Sequence, residues 1–448
     1  MMILNGYCHP DFGQVADTLI KMMPQRKNPE YAGGASLCVY HRGEKVVDVW
    51  GGTKDRNGTP WEEDTIVFSA STTKGVTSTL MHLIIDKGLA KLDDPISKHW
   101  PEFGANGKEN ITIRQALNHQ AGLYNIGDYN FADDDIHDWH TARDAIANAA
   151  PAHEPGRFSA YHGLTYGHII GGLIEHITGK SFQQVLKEEL TEPLGLDGLF
   201  IGVPDNDLNR LAQLITFNGQ LGEALRRHHK IPAPLRKILN LITKAFGADF
   251  SHFARALAPD FLEGLNVNDP KHMQAVIPAA NGAFTARSLA RMYAALANGG
   301  ELDGRRIVSE ETVNQLKHAQ VKSRDKVLVI PMGWSLGYHK VFALNASAPN
   351  AFGHFGFGGS GAWCDPTRNL SMAMTLNTGV GTPTGDVRTA RISGQVIRCA
   401  HRRDRWPIKP VATQENFLDR VNKEQNAIVN TRSTEEAASK DAHKELAV

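Results

Sequence analysis

A short apolar strand signal, Ile66-Val67-Phe68, gives way near Ser71 to a helical pattern that places Val76, Leu80, Leu83 and Ile84 on one face. Gly88 is positioned to end that helix in the left-handed conformation, and Pro95 prevents its resumption. So abrupt a change of period commits the chain to helices packed on a sheet.

The flanking sequence supplies both partners. Two β-rich runs on either side of His41-Arg42-Gly43-Glu44 read as a hairpin over 35–50. Residues 111–178 are mostly helical with turns, and a further helical stretch with few β signals occupies 205–268. The pattern returns to β over 332–341, then over 362–376 as a hairpin turning at Asp365-Pro366-Thr367-Arg368-Asn369. A helical 387–401 packs back on the sheet. The expected fold is α/β of the α+β type, a central antiparallel sheet flanked by helices with an inserted, mostly helical domain. Residues 1–110 and 270–410 would form the discontinuous sheet domain, and 111–269 the helical domain. A candidate cap lies at 205–268, where Ile238, Leu239, Leu241, Ile242 and Phe246 are apolar enough to face a substrate. Beyond Pro410 large apolar residues are few, so 411–448 is expected to be a mobile tail.

At 448 residues the chain can bury a catalytic site, and its 48 basic residues balance its 48 acidic ones. That balance argues against nucleic acid or an anionic membrane as the main partner. The opening MMILNGYCHPDFGQ lacks the pattern of a secretory signal, and no apolar run is long enough to span a bilayer, so the expected location is the cytoplasm. Cys8, Cys38, Cys364 and Cys399 are scattered without CxxC spacing and read as free thiols. Oligomeric state is left open.

A serine hydroxyl becomes a useful nucleophile only when a base within hydrogen-bond reach takes its proton. In Ser71-Thr72-Thr73-Lys74 the i, i+3 spacing puts serine and lysine on one helix face. Lys74 can accept a proton only if burial or nearby positive charge lowers its pKa. The bland alternative is that Ser71 caps the helix. A second S-x-x-K, Ser323-Arg324-Asp325-Lys326, sits in a polar run that reads as surface loop.

The ordered segments FSASTTKGVTSTLMHLIIDKGLAKLDDPI, ALNHQAGL and AYHGLTYGHIIGGLIEHITGKSF resemble the serine β-lactamase and penicillin-binding-protein superfamily, above all its class C-like family VIII carboxylesterases. The likeness runs from about 33 to 376. It implies an acyl-enzyme on Ser71, proton transfer by Lys74 and Tyr161, and no cofactor or metal. Tyr161-His162-Gly163 stands where the family has Tyr-x-Asn; Gly163 lacks the amide that helps hold a β-lactam, which argues for esters. His354-Phe355-Gly356 stands in place of Lys-Thr-Gly, with the amides of Ser71 and Phe357 as oxyanion donors. His354, Gly356, Gly163 and Asn281 are expected to line the substrate cleft, and His119 to support it structurally. Tyr166 reads as core.

Gly356 to Gly361 also spells GxGxxG, but it precedes a hairpin near the chain's end rather than opening a helix, so a dinucleotide loop is rejected. His228-His229 lies in a basic patch without a metal-binding pattern. The expected activity is hydrolysis of small, short-acyl carboxylic esters. A weak β-lactamase, a D-amino-acid peptidase and an acyltransferase share the same acyl-enzyme and stay open, as does a non-catalytic relative.

Overall fold

Alternation of side chains along two central strands organises the molecule. In the computed structural model, seven strands form one antiparallel sheet: β1 (Leu4–Cys8), β2 (Gly34–His41), β3 (Glu44–Gly52), β4 (His339–Lys340), β5 (Phe352–Phe355), β6 (Gly361–Asp365) and β7 (Leu370–Leu376). Their spatial order is β1-β3-β2-β7-β6-β5-β4. The residues described are 3–23, 33–129, 131–132, 135–216, 250–257, 259–262, 264–379, 382, 385–405, 416–419 and 421–423.

Every residue of β2 and β7 is buried, so both sheet faces are covered. Leu37 and Val39 point into a layer shared with helices α1 (Gly13–Met22) and α5 (Val387–Arg405), through Val15, Leu19, Ile392 and Val396. Cys38 and Tyr40 point the other way, toward α2 (Thr72–Asp86) and α4 (Ala286–Ala297), through Val76, Leu80, Leu289 and Tyr293. Period-two alternation thus gives one sheet two apolar faces.

The β2–β3 hairpin turns on Arg42 and Gly43, both at positive φ (55° and 78°), as a tight two-residue turn requires. Helix α3 (Thr165–Thr178) packs on α2 from the side away from the sheet and ends at left-handed Gly179 (φ 67°). Sandwiched in this way, α2 is buried on all sides from Thr72 to Ile84, not along one stripe as its sequence pattern implies. Gly88 follows it with φ 76°.

The strand expected at Ile66–Phe68 forms, within a second, four-stranded sheet between Ala283–Phe284 and Leu211–Ala212. Two other readings are corrected. Residues 332–341 contribute only the two-residue β4, because Gly333, Leu336 and Gly337 adopt positive φ (63°, 51° and 97°) and bend the chain. Against the expectation of a mobile tail, residues 416–419 and 421–423 dock on the fold: Leu418 is buried, Phe417 packs on Gly13, and Asn416 and Asn422 hydrogen-bond the main chain of β1.

Ile238, Leu239, Leu241, Ile242, Phe246 and the His228-His229 pair lie outside the described residues. From the 205–268 segment the structure describes a 3-10 turn at Asp205–Arg210 and a helix at Phe250–Leu257. All four cysteines are buried free thiols. Among the described residues, no helix is long and apolar enough to cross a membrane.

Candidate active site

The strand Ile66–Phe68 delivers the chain to α2 through Ala70, whose φ of 45° is rare for a residue with a side chain. This turn is held from several directions: Ser69 N donates to Gly282 O at 2.9 Å, and the Thr73 hydroxyl donates to Ala70 O at 2.6 Å. Ser71 follows at the helix N-terminus, and its hydroxyl makes no capping bond. The capping alternative is therefore not what this hydroxyl does.

Instead, two side chains converge on it. Tyr161 OH donates to Ser71 Oγ at 2.7 Å, and Lys74 Nζ lies 3.3 Å from the same oxygen. Lys74 is fully buried, with Nζ donating to Gly163 O at 2.6 Å and Ala279 O at 3.0 Å. Burial holds its pKa well below the usual lysine range. Two carbonyls can take both N–H bonds of a neutral amine, which leaves its lone pair for the Ser71 hydroxyl. Burial pushes the Tyr161 phenol the other way, up, so it stays protonated and can donate.

Tyr161 is fixed by a residue that sequence reasoning passed over. Asp325 is fully buried, and its Oδ1 accepts from Tyr161 N at 3.1 Å, Val327 N at 2.9 Å and Leu328 N at 3.0 Å. Oδ2 accepts from the Trp334 indole at 3.1 Å, and that indole stacks on the Tyr161 ring at 5.6 Å, 5° from parallel. The supposed surface motif thus splits: Ser323 is exposed and Asp325 is buried. His119, at φ 59°, packs against both Tyr161 and Trp334, with its Nδ1 accepting from His162 N at 3.2 Å. Tyr166 shares a 2.6 Å hydrogen bond with Ser78 in the core.

Ser71, Tyr161, Gly163 and Phe357 line one cavity of about 60 Å³. The rest of its wall is almost wholly apolar, with Phe68, Leu164, Leu257, Leu262, Leu265 and Ile277 prominent. Gly356 stands where the end of β5 meets the serine turn, and a Cβ there would run into the Ser69 carbonyl oxygen. Its amide donates to Ser360 O at 2.8 Å, closing the turn into β6, so the GxGxxG string is a hairpin connection. A Cβ at Gly163 would sit 2.7 Å from Ala256 O and against the Leu257 side chain, so the family's asparagine has no room here.

Of the four residues expected in the cleft only Gly163 lines this cavity; Gly356 serves the turn instead, and Asn281 and His354 lie elsewhere. Asn281 is buried outside the cavity wall; it accepts from Ile277 N at 3.1 Å and donates to His272 O at 2.9 Å and Ala275 O at 2.7 Å. It braces the loop that carries Ala279. His354 also lies behind the wall, packed beside His339 at 4.9 Å, and burial holds its pKa well below the ordinary histidine value. It is a neutral core residue there.

A covered sheet with Ser71 held between Lys74 and Tyr161 defines a serine hydrolase. The family model described as Beta-lactamase matches residues 24–396. This chain belongs to the beta-lactamase family. A Mycobacterium tuberculosis protein named esterase/beta-lactamase LipL is 37% identical over 375 residues, which is 83% of this chain and 82% of LipL. A crystal structure of a family VIII carboxylesterase superposes with a TM-score of 0.75 at 30% identity, covering 88% of this chain and 99% of that one. A penicillin-binding protein homologue from Caulobacter crescentus gives 0.76 at 29% identity, over 88% and 99%.

Proposed function

We propose that this protein hydrolyses carboxylic esters with short acyl chains through an acyl-enzyme on Ser71. The observation that carries this reading is the hydrogen-bond set of Lys74: two carbonyls accept from Nζ, and Ser71 Oγ is the third neighbour. In acylation Lys74 takes the Ser71 proton as Oγ attacks the ester carbonyl. The amides of Ser71 and Phe357 receive the oxyanion. Tyr161 protonates the departing alkoxide and regains a proton from the Lys74 ammonium. Water then enters and repeats the sequence against the acyl-serine, releasing the acid.

Three features favour an ester over a β-lactam. The space for a family asparagine is filled by the Phe250–Leu257 helix, so nothing replaces its amide. His354, at the family's lysine position, is neutral and behind the wall, so it offers no charge to a substrate carboxylate. The cavity is apolar, and at about 60 Å³ it is well under half the roughly 150 Å³ of an engineered cavity that takes benzene, which limits the acyl group to a few carbons. The name of the family VIII carboxylesterase structure supports this reading, while that of LipL carries both esterase and beta-lactamase.

The test is intact-mass spectrometry after fluorophosphonate treatment, with hydrolysis of 4-nitrophenyl butyrate and nitrocefin measured in parallel. One adduct and butyrate turnover, both lost in Ser71→Ala, with nitrocefin far slower, is the expected result. No adduct and no turnover would refute it.

A further inference from the structure

Among the described residues, the side chains with a polar atom that line the cavity are Ser71, Tyr161 and His272. His272 sits on the short helix Pro270–Gln274, entered through an Asp269 side-chain cap. The residue is 3% exposed, its carbonyl is gripped by Asn281, and its ring lies 6.1 Å from that of Phe68. Its Nδ1 is 3.2 Å from His137 Nε2, and its Nε2 has no partner among the described residues. Burial, with His137 beside it, pushes its pKa down to about 3, so the ring is neutral.

The hydrogen bond between the two rings needs one proton between Nδ1 of His272 and Nε2 of His137, and either nitrogen can carry it. When His272 donates to His137, its Nε2 is an acceptor; when His137 donates, its Nε2 carries hydrogen and is a donor. This nitrogen is buried and unmatched in the free protein, and a plain acyl chain filling the cavity would leave it so. A hydroxyl on the chain would satisfy it in either tautomer, donating to the bare nitrogen or accepting from its N–H.

We infer that His272 Nε2 recognises a hydroxyl on the acyl chain, so that the preferred substrates are esters of short hydroxy acids. This rests on the esterase reading above. The polar wall position would then set specificity, because a site built to hydrogen-bond a substrate group discriminates strongly against the analogue that lacks it.

The experiment compares kcat/KM for the 4-nitrophenyl esters of butyrate and 3-hydroxybutyrate on the wild type, His272→Leu and His272→Phe. Rates are normalised to the fraction of Ser71 that labels with fluorophosphonate, so that partial misfolding drops out. Expected is a wild-type preference for the hydroxy ester that falls by about tenfold or more in both variants. Butyrate turnover with a ratio untouched by either substitution overturns this inference alone. No turnover of either ester overturns the esterase reading and this inference with it.

Discussion

Asp325 accepts the main-chain N–H of Tyr161 at 3.1 Å, and with its other oxygen it holds the indole stacked on the same tyrosine. One carboxylate therefore sets both the position and the plane of the phenol. Asp325→Asn keeps an oxygen for the three amides but turns an NH2 toward the Trp334 N–H. We expect kcat to fall by about 10–100-fold with KM little changed, since small misplacements near the reacting atoms cost that much. The negative charge of Asp325 also helps hold the phenol up, so the alkaline limb of the kcat profile should move to lower pH. An unchanged kcat profile would remove Asp325 from this role.

Lys74 makes pH a structural variable. Its native pKa is held down by burial, while the unfolded chain keeps that proton to about pH 10.4. Between those values the unfolded state binds the extra proton, so this residue's contribution to stability rises with pH, by at most about 1.4 kcal/mol per unit. Buried Cys8 and Tyr161 shift upward and act in the opposite direction at alkaline pH. The lysine effect must be read as a difference: urea unfolding from pH 7 to 10 should show wild type gaining stability relative to Lys74→Met. The variant should also lose about 10²–10⁴ in kcat.

Gly356→Ala tests the approach of β5 to the serine turn. The new Cβ would press on the Ser69 carbonyl, a backbone atom that cannot swing aside. Separating Phe357 from Ser71 should cost about 10²–10³ in kcat, as loss of one oxyanion donor does. Steady-state kinetics beside circular dichroism would distinguish this from unfolding.

Leu257→Ala should lengthen the accepted acyl chain. The side chain lines the cavity and fills the space beside Gly163, and its truncation removes three carbons. Kinetics on 4-nitrophenyl esters from C2 to C10 should show the optimum moving up by about three carbons, with a loss of stability of about 2–5 kcal/mol as an upper range for a partly buried leucine.

The parts of this site that one helical turn brings together were legible in the sequence. Ser71 and Lys74 are three residues apart on α2, and helix geometry alone places them on one face. Tyr161 came from the order of motifs, because its pairing with Ser71 spans ninety positions. Asp325 was hidden for a physical reason: the polar run around it exposes Ser323 and Arg324 while turning one carboxylate inward. The apolar Val327 and the indole of Trp334 nearby were the available signal. Asn281 and His354 were read as cleft residues on their positions, whereas the fold spends them on bracing and core. Both faces of β2 carried apolar residues, which told of a covered sheet but not of which helices cover it.

The asparagines that dock the C-terminal segment meet Leu4 O, Gly6 O and Cys8 N, alternate positions on the outer side of β1. Since β1 is an end strand of the seven, these are the groups an incoming strand would seek. Two side chains thus close a border that would otherwise invite a second copy. Trimming the chain at Pro410, where composition changes, would reopen that border and favour self-association through it.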